Sequence, residues 1–139
     1  MGMGMEPRAL AGIVVYVKDI QRVAAFYAAV LRLEAVEREE RFVVLSRTGN
    51  CAVGDVSIVA MSDDVAESIT VHDPPVIRHE TPFKPSFLVE SLSDAARVAA
   101  EAGGGTKSMG TTWEFRGLRH LDGFDPEGNV LQLVERLQE

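Results

Sequence analysis

The pattern of Gly12–Leu31, GIVVYVKDIQRVAAFYAAVL, returns in Lys84–Ala102, KPSFLVESLSDAARVAAEA. Each segment is a short apolar run ending in a valine (Val17, Val89). A charged residue (Lys18, Glu90), a helix-capping residue (Asp19, Ser91) and an apolar-periodic stretch follow. Superposing the two valines gives an offset of 72 residues, which also aligns Ile20 with Leu92. A fixed internal period constrains architecture more than any local propensity, because each copy must fold as one supersecondary unit. The chain is therefore expected to be one domain, 1–139, holding module one over 9–61, a linker over 62–83 and module two over 84–136.

Local signals draw the module. Ala9–Lys18 is rich in β-branched residues and predicts a strand. Asp19 is a good N-cap, and Ile20, Val23, Ala24, Tyr27, Val30 and Leu31 recur at helical spacing. Glu34–Glu39, Arg41–Arg47 and Val53–Met61 predict strands, with Thr48-Gly49-Asn50 as a hairpin turn. The order is βαβββ. In the second copy, Lys84–Glu90 predicts a strand, and Leu92–Ala102 a helix stopped by Gly103-Gly104-Gly105. Thr106–Gly110, Thr112–Asp122 (broken at Gly117) and Asn129–Arg136 supply further strands. The linker carries Asp63, Asp64, Asp73, Pro74, Pro75 and Pro82, with one helical turn expected at Val65–Ile69.

Composition narrows the function classes. A net charge of −7 speaks against nucleic acid as a partner, which needs a basic footprint. No apolar run approaches a membrane span, and the opening MGMGMEPRAL is too short and too acidic for a signal peptide. The single cysteine, Cys51, cannot form an internal disulfide, which suits a reducing, cytoplasmic compartment. It lies in a turn-like stretch without a neighbouring base, so it is not expected to be a nucleophile. His72 and His79 fall in the linker, and His120 on a predicted strand; no Ser-His-Asp pattern, phosphate-cradling glycine loop or CxxC pair accompanies them.

Asp125-Pro126-Glu127-Gly128-Asn129 suits a type I turn between two strands, and Val-Leu-Gln-Leu-Val-Glu follows it. Together with VKDI at Val17–Ile20 and the pair Phe26-Tyr27, this resembles the glyoxalase/bleomycin-resistance/extradiol-dioxygenase superfamily, the vicinal-oxygen-chelate fold, over Ala9–Glu135. The resemblance implies an α+β fold of two tandem βαβββ modules, with curved mixed sheets forming a cup and helices outside. It also implies a homodimer. In metal-binding members the cup holds a divalent ion through His or Gln on the first strand and Glu on the last strand of each module. Carried onto this chain, those positions fall on Gly12, Lys84 and Gln132, with the remaining one at Ser57 or Val59. Glycine has no side chain, an ammonium opposes a cation, and a lone amide is a poor anchor, so no metal and no other cofactor is expected.

Strand alternation sorts the faces. One parity holds Ile13, Val15, Val17, Phe87, Val89, Leu131 and Leu133, all apolar. The parity of the ligand positions holds Gly12, Val14, Tyr16, Lys84, Ser86, Leu88, Val130, Gln132 and Val134. Apolar bodies with a few placed polar groups are what a small-molecule pocket needs. Tyr16, Lys84, Ser86 and Gln132 are therefore candidate ligand-binding residues. Trp113 joins them because an indole stacks on planar or cationic ligands. Gly117 and Arg119 match a segment that borders the ligand cleft in antibiotic-sequestering members. Arg119, His120 and Asp122 all enter the candidate set, because parity does not say which face of their strand lines the cup. Lys84 would attract an anionic group, Asp122 and Glu114 a cationic one, so ligand charge stays open. The expected function is metal-independent binding of a small molecule, as in the bleomycin-resistance branch. The alternative is a lyase, isomerase or dioxygenase of the same superfamily.

Overall fold

The computed structural model describes residues 9–47 and 55–138, so Cys51 and the expected turn at Thr48-Gly49-Asn50 lie outside the described residues. The elements run β1 (Ile13–Val17), α1 (Ile20–Leu31), β2 (Glu34–Glu39), β3 (Phe42–Ser46), β4 (Val56–Ala60), α2 (Asp63–Ser68), β5 (Ser86–Leu88), α3 (Leu92–Glu101), β6 (Gly105–Thr106), β7 (Trp113–Phe115), β8 (Leu118–Phe124) and β9 (Val130–Arg136). The strands form two mixed sheets, ordered β1-β4-β3-β2 and β5-β9-β8-β6, with β7 paired to β8. In each, the first strand runs parallel to the last and the other pairs are antiparallel. The 72-residue repeat is thus a repeat of topology, and β7 is the addition that module two carries.

Capping chemistry starts the helices where expected. Asp19 accepts from the Arg22 amide at 3.1 Å, and Ser91 from the Asp94 amide at 3.2 Å. The core gathers Val23, Phe26, Tyr27 and Val30 of α1 with Leu92, Ala95 and Ala99 of α3. Val17, Val43, Leu45, Ile58, Leu121, Leu131 and Leu133 complete it from the two sheets. One apolar cluster therefore spans both modules, and the sheet faces away from the helices are left open.

The DPEGN segment does more than turn the chain. The Gly128 amide donates to the Asp125 carbonyl at 2.9 Å, closing the turn, and Gly128 takes a left-handed φ of +84°. The Glu127 carboxylate accepts from the Lys18 amide at 2.9 and 3.0 Å and from the Asp19 amide at 2.7 Å. It thereby satisfies free amides at the entry to α1 and ties the end of module two to the start of module one. Asp125 is fully buried and accepts from the Tyr27 hydroxyl at 2.8 Å, the Asn129 side chain at 2.9 Å and the Glu127 amide at 2.8 Å. Burial raises the Tyr27 phenol well above its ordinary value, and the Asp125 charge and hydrogen bond push the same way. Burial also raises Asp125, against the lowering effect of its hydrogen bonds from Asn129, Tyr27 and the backbone.

Several expected elements change shape. The strand expected at Thr106–Gly110 is two residues of β6 followed by a 3-10 turn at Met109–Thr111. The Ser108 region leaves the sheet because Gly105 and Thr106 alone pair with β8. The strand expected over Thr112–Asp122 is β7 and β8, joined by a tight turn in which Arg116 (φ +54°) and Gly117 (φ +77°) are both left-handed. The strand expected from Lys84 to Glu90 shortens to Ser86–Leu88. The helical turn expected at Val65–Ile69 is α2, begun by Ser62 as N-cap.

Candidate functional site

Register places the candidate residues. On sheet two, Ser86 pairs with Gln132 and Gln132 with Asp122; Leu88 pairs with Val134 and Val134 with His120; and His120 pairs with Trp113. Residues opposite one another share a face. Lys84, two residues before Ser86, extends the row. His120 and Asp122, not Arg119, therefore stand on the open face with Gln132.

The side chains connect. Lys84 Nζ donates to Asp122 Oδ1 at 2.8 Å. Ser86 Oγ donates to Gln132 Oε1 at 3.1 Å, and His120 Nδ1 lies 2.8 Å from the same oxygen. His120 Nε2 lies 3.2 Å from the Phe115 carbonyl oxygen, and the His120 ring stacks on Trp113 with centroids 5.2 Å apart and planes 13° apart. Lys84 Nζ sits 5.7 Å from the Trp113 ring centroid, within reach of a cation–π attraction. Which His120 nitrogen donates is set by its tautomer. Lys84, Ser86, Trp113, His120, Asp122 and Gln132 thus form one network. His120 is its buried member, 8% exposed.

The other two candidates stand apart. Tyr16, 62% exposed, lies on the open face of sheet one with Val14 and reaches Lys84 only across a cleft. That cleft, about 750 Å³, is walled by Val14 and Tyr16 of β1, the chain Thr81–Pro85, and Val130. Arg119 pairs with Glu114 on one side and Glu135 on the other, in the parity of Leu121 and Leu133, and Glu114 faces away from the network with it.

The sequence did not mark the linker as part of the site. Its carboxyl half runs along the walls of the large cleft and of a second, about 350 Å³, bringing Arg78, Glu80 and Phe83 beside Lys84. The Arg78 amide donates to the Gly128 carbonyl at 2.9 Å, and a Cβ on Gly128 would collide with the Val76 carbonyl oxygen. Proline content signals extended chain but not where that chain docks. The available clue was the glycine of DPEGN, whose backbone must be approached closely.

Register also decides between Ser57 and Val59. Val14 pairs with Ser57 as Ser86 pairs with Gln132, so the four positions that the resemblance assigns to a metal are Gly12, Ser57, Lys84 and Gln132. The Lys84 ammonium is engaged by Asp122, and the Gln132 oxygen faces two partners already. Among the described residues no group of three or more His, Cys, Asp or Glu converges. This donor set does not fit a divalent transition ion.

The fold and the open-faced sheets agree with comparison to known proteins. The model of the glyoxalase-like domain matches residues 12–134. The chain belongs to the glyoxalase-like family. A glyoxalase/bleomycin resistance protein/dioxygenase family enzyme from Burkholderia phytofirmans is 20% identical with a TM-score of 0.64, covering 91% of this chain and 98% of that one. The corresponding domain from Frankia is 16% identical with a TM-score of 0.63, covering 95% and 100%. The fosfomycin resistance protein FosX from Listeria monocytogenes is 14% identical with a TM-score of 0.63, covering 95% and 96%. No curated protein matches significantly. At these identities the likeness shows the glyoxalase-like fold, and the site must be argued from this chain's own residues.

Proposed function

We propose that this glyoxalase-like chain binds a small molecule reversibly in its cup, without a metal and without converting it, as sequestering members of the superfamily do. The carrying observation is Lys84, whose ammonium stands at an inherited ligand position and is held by Asp122 at 2.8 Å. Tyr16 and Lys84 line a cleft of ligand size, and Ser86, Trp113, His120, Asp122 and Gln132 stand in the network that Lys84 joins. A homodimer belongs to the same proposal. The open faces of both sheets expose Val14, Tyr16, Trp113 and Phe115, which a second copy would cover while completing each cup. The lone cysteine favours a cytoplasmic, reducing setting.

The enzyme reading, a lyase, isomerase or dioxygenase, draws support from the imidazole of His120 in the network that includes Lys84, a group suited to moving a proton. The two are separated by a ligand found by screening, titrated against the protein and recovered for mass spectrometry. Recovery unchanged after saturating binding is the expected result, and chemical alteration of the recovered molecule supports the enzyme.

A further inference from the structure

We infer that the cup's ligand is an amphipathic anion, an oxyanion such as a carboxylate on an apolar body, with its head taken by Lys84. This rests on the proposed reversible binding and adds the chemical class of the ligand. The two clefts share Thr81, Pro82, Phe83, Lys84 and Val130, so they adjoin at Lys84. Around them stand three basic side chains, Arg78, Lys84 and Lys107, against two carboxylates, Glu80 and Asp122. That local excess of positive charge occurs in a chain whose net charge is −7. Arg78 and Lys107 make no ion pair among the described residues.

The geometry around Lys84 favours an anion over a cation. An ammonium carries three donors, of which one is given to Asp122, and the side chain is 39% exposed. An incoming oxyanion can accept from the remaining donors while the Lys84–Asp122 pair stays intact. The pair and the Trp113 ring hold the ammonium in place before binding, which lowers the cost of ordering it. An incoming cation would have to take Asp122 from Lys84 and leave two like charges side by side. The apolar body has the wall of Val14, Tyr16, Phe83 and Val130 to lie against.

The test uses the full chain with decanoate, decanol and decylammonium, which share one apolar body and differ in head charge. Binding is followed by calorimetry and by emission of Trp113, the only tryptophan. Decanoate is expected to bind roughly tenfold tighter than decanol, and decylammonium most weakly. Added salt should weaken decanoate and leave decanol unchanged. Lys84→Met should abolish the preference for decanoate while decanol affinity holds, and Lys84→Arg should keep the preference. Equal affinity for decanoate and decanol, or a preference that survives Lys84→Met, overturns the charge assignment and leaves reversible binding standing. Failure of all three compounds to give heat or to shift Trp113 emission overturns both.

Discussion

Among single residues, Gln132 and Tyr27 carry the sharpest expectations, one for the site and one for the core. Gln132 Oε1 faces both Ser86 Oγ and His120 Nδ1, so Gln132→Leu strands two polar groups at once. If a ligand also pairs with that amide, binding should weaken by about 1–3 kcal/mol, and thermal stability should fall as well because buried His120 loses a partner. Unchanged affinity in a titration would place Gln132 outside the site. Tyr27 donates to buried Asp125, and its phenol is raised above the ordinary value near 10. A folded-state value above the unfolded one means that the native chain holds this proton more tightly. Its contribution is full below about pH 10 and is lost as pH rises through the folded value. Tyr27→Phe should cost about 1.5–3 kcal/mol at neutral pH, because a buried carboxylate loses a donor. Urea denaturation repeated above pH 10 should show a flatter loss of stability in the variant than in the parent.

At the level of elements, the closing turn is the piece on which the two modules and the linker meet. Glu127→Ala would leave the Lys18 and Asp19 amides without their carboxylate, and we expect a loss of about 2–4 kcal/mol by urea denaturation. Gly128→Ala adds a Cβ against the Val76 carbonyl at a left-handed φ. It should cost a similar amount and also weaken ligand binding, since Val76 leads into the cleft wall; a variant as stable and as tight-binding as the parent would contradict that placement. Much of this level was legible in the chain: Asp19 and Ser91 cap helices, parity separates Val17 and Leu133 from Ser86 and Gln132, and DPEGN turns the chain. The rest was not, for physical reasons. Both faces of β8 carry polar groups, so only its pairing with β9 could choose His120 over Arg119. No periodicity marks residues 76–83 as a wall, and Glu127's reach to Lys18 spans 109 positions, beyond any local pattern.

In the whole molecule, a two-module core leaves open sheet faces that expose Val14, Tyr16, Trp113 and Phe115. A symmetric dimer at micromolar concentration is expected by sedimentation; a monomer of 15.1 kDa would remove the proposed completion of the cup by a second copy. Binding in this cup is proposed to need no divalent ion, with Lys84 standing where metal-binding members place a ligand. Elemental analysis of the purified protein by inductively coupled plasma mass spectrometry tests it most directly. Manganese, iron, nickel and zinc should each lie far below one equivalent per chain; near one equivalent of any of them, retained through dialysis, would contradict metal-free binding.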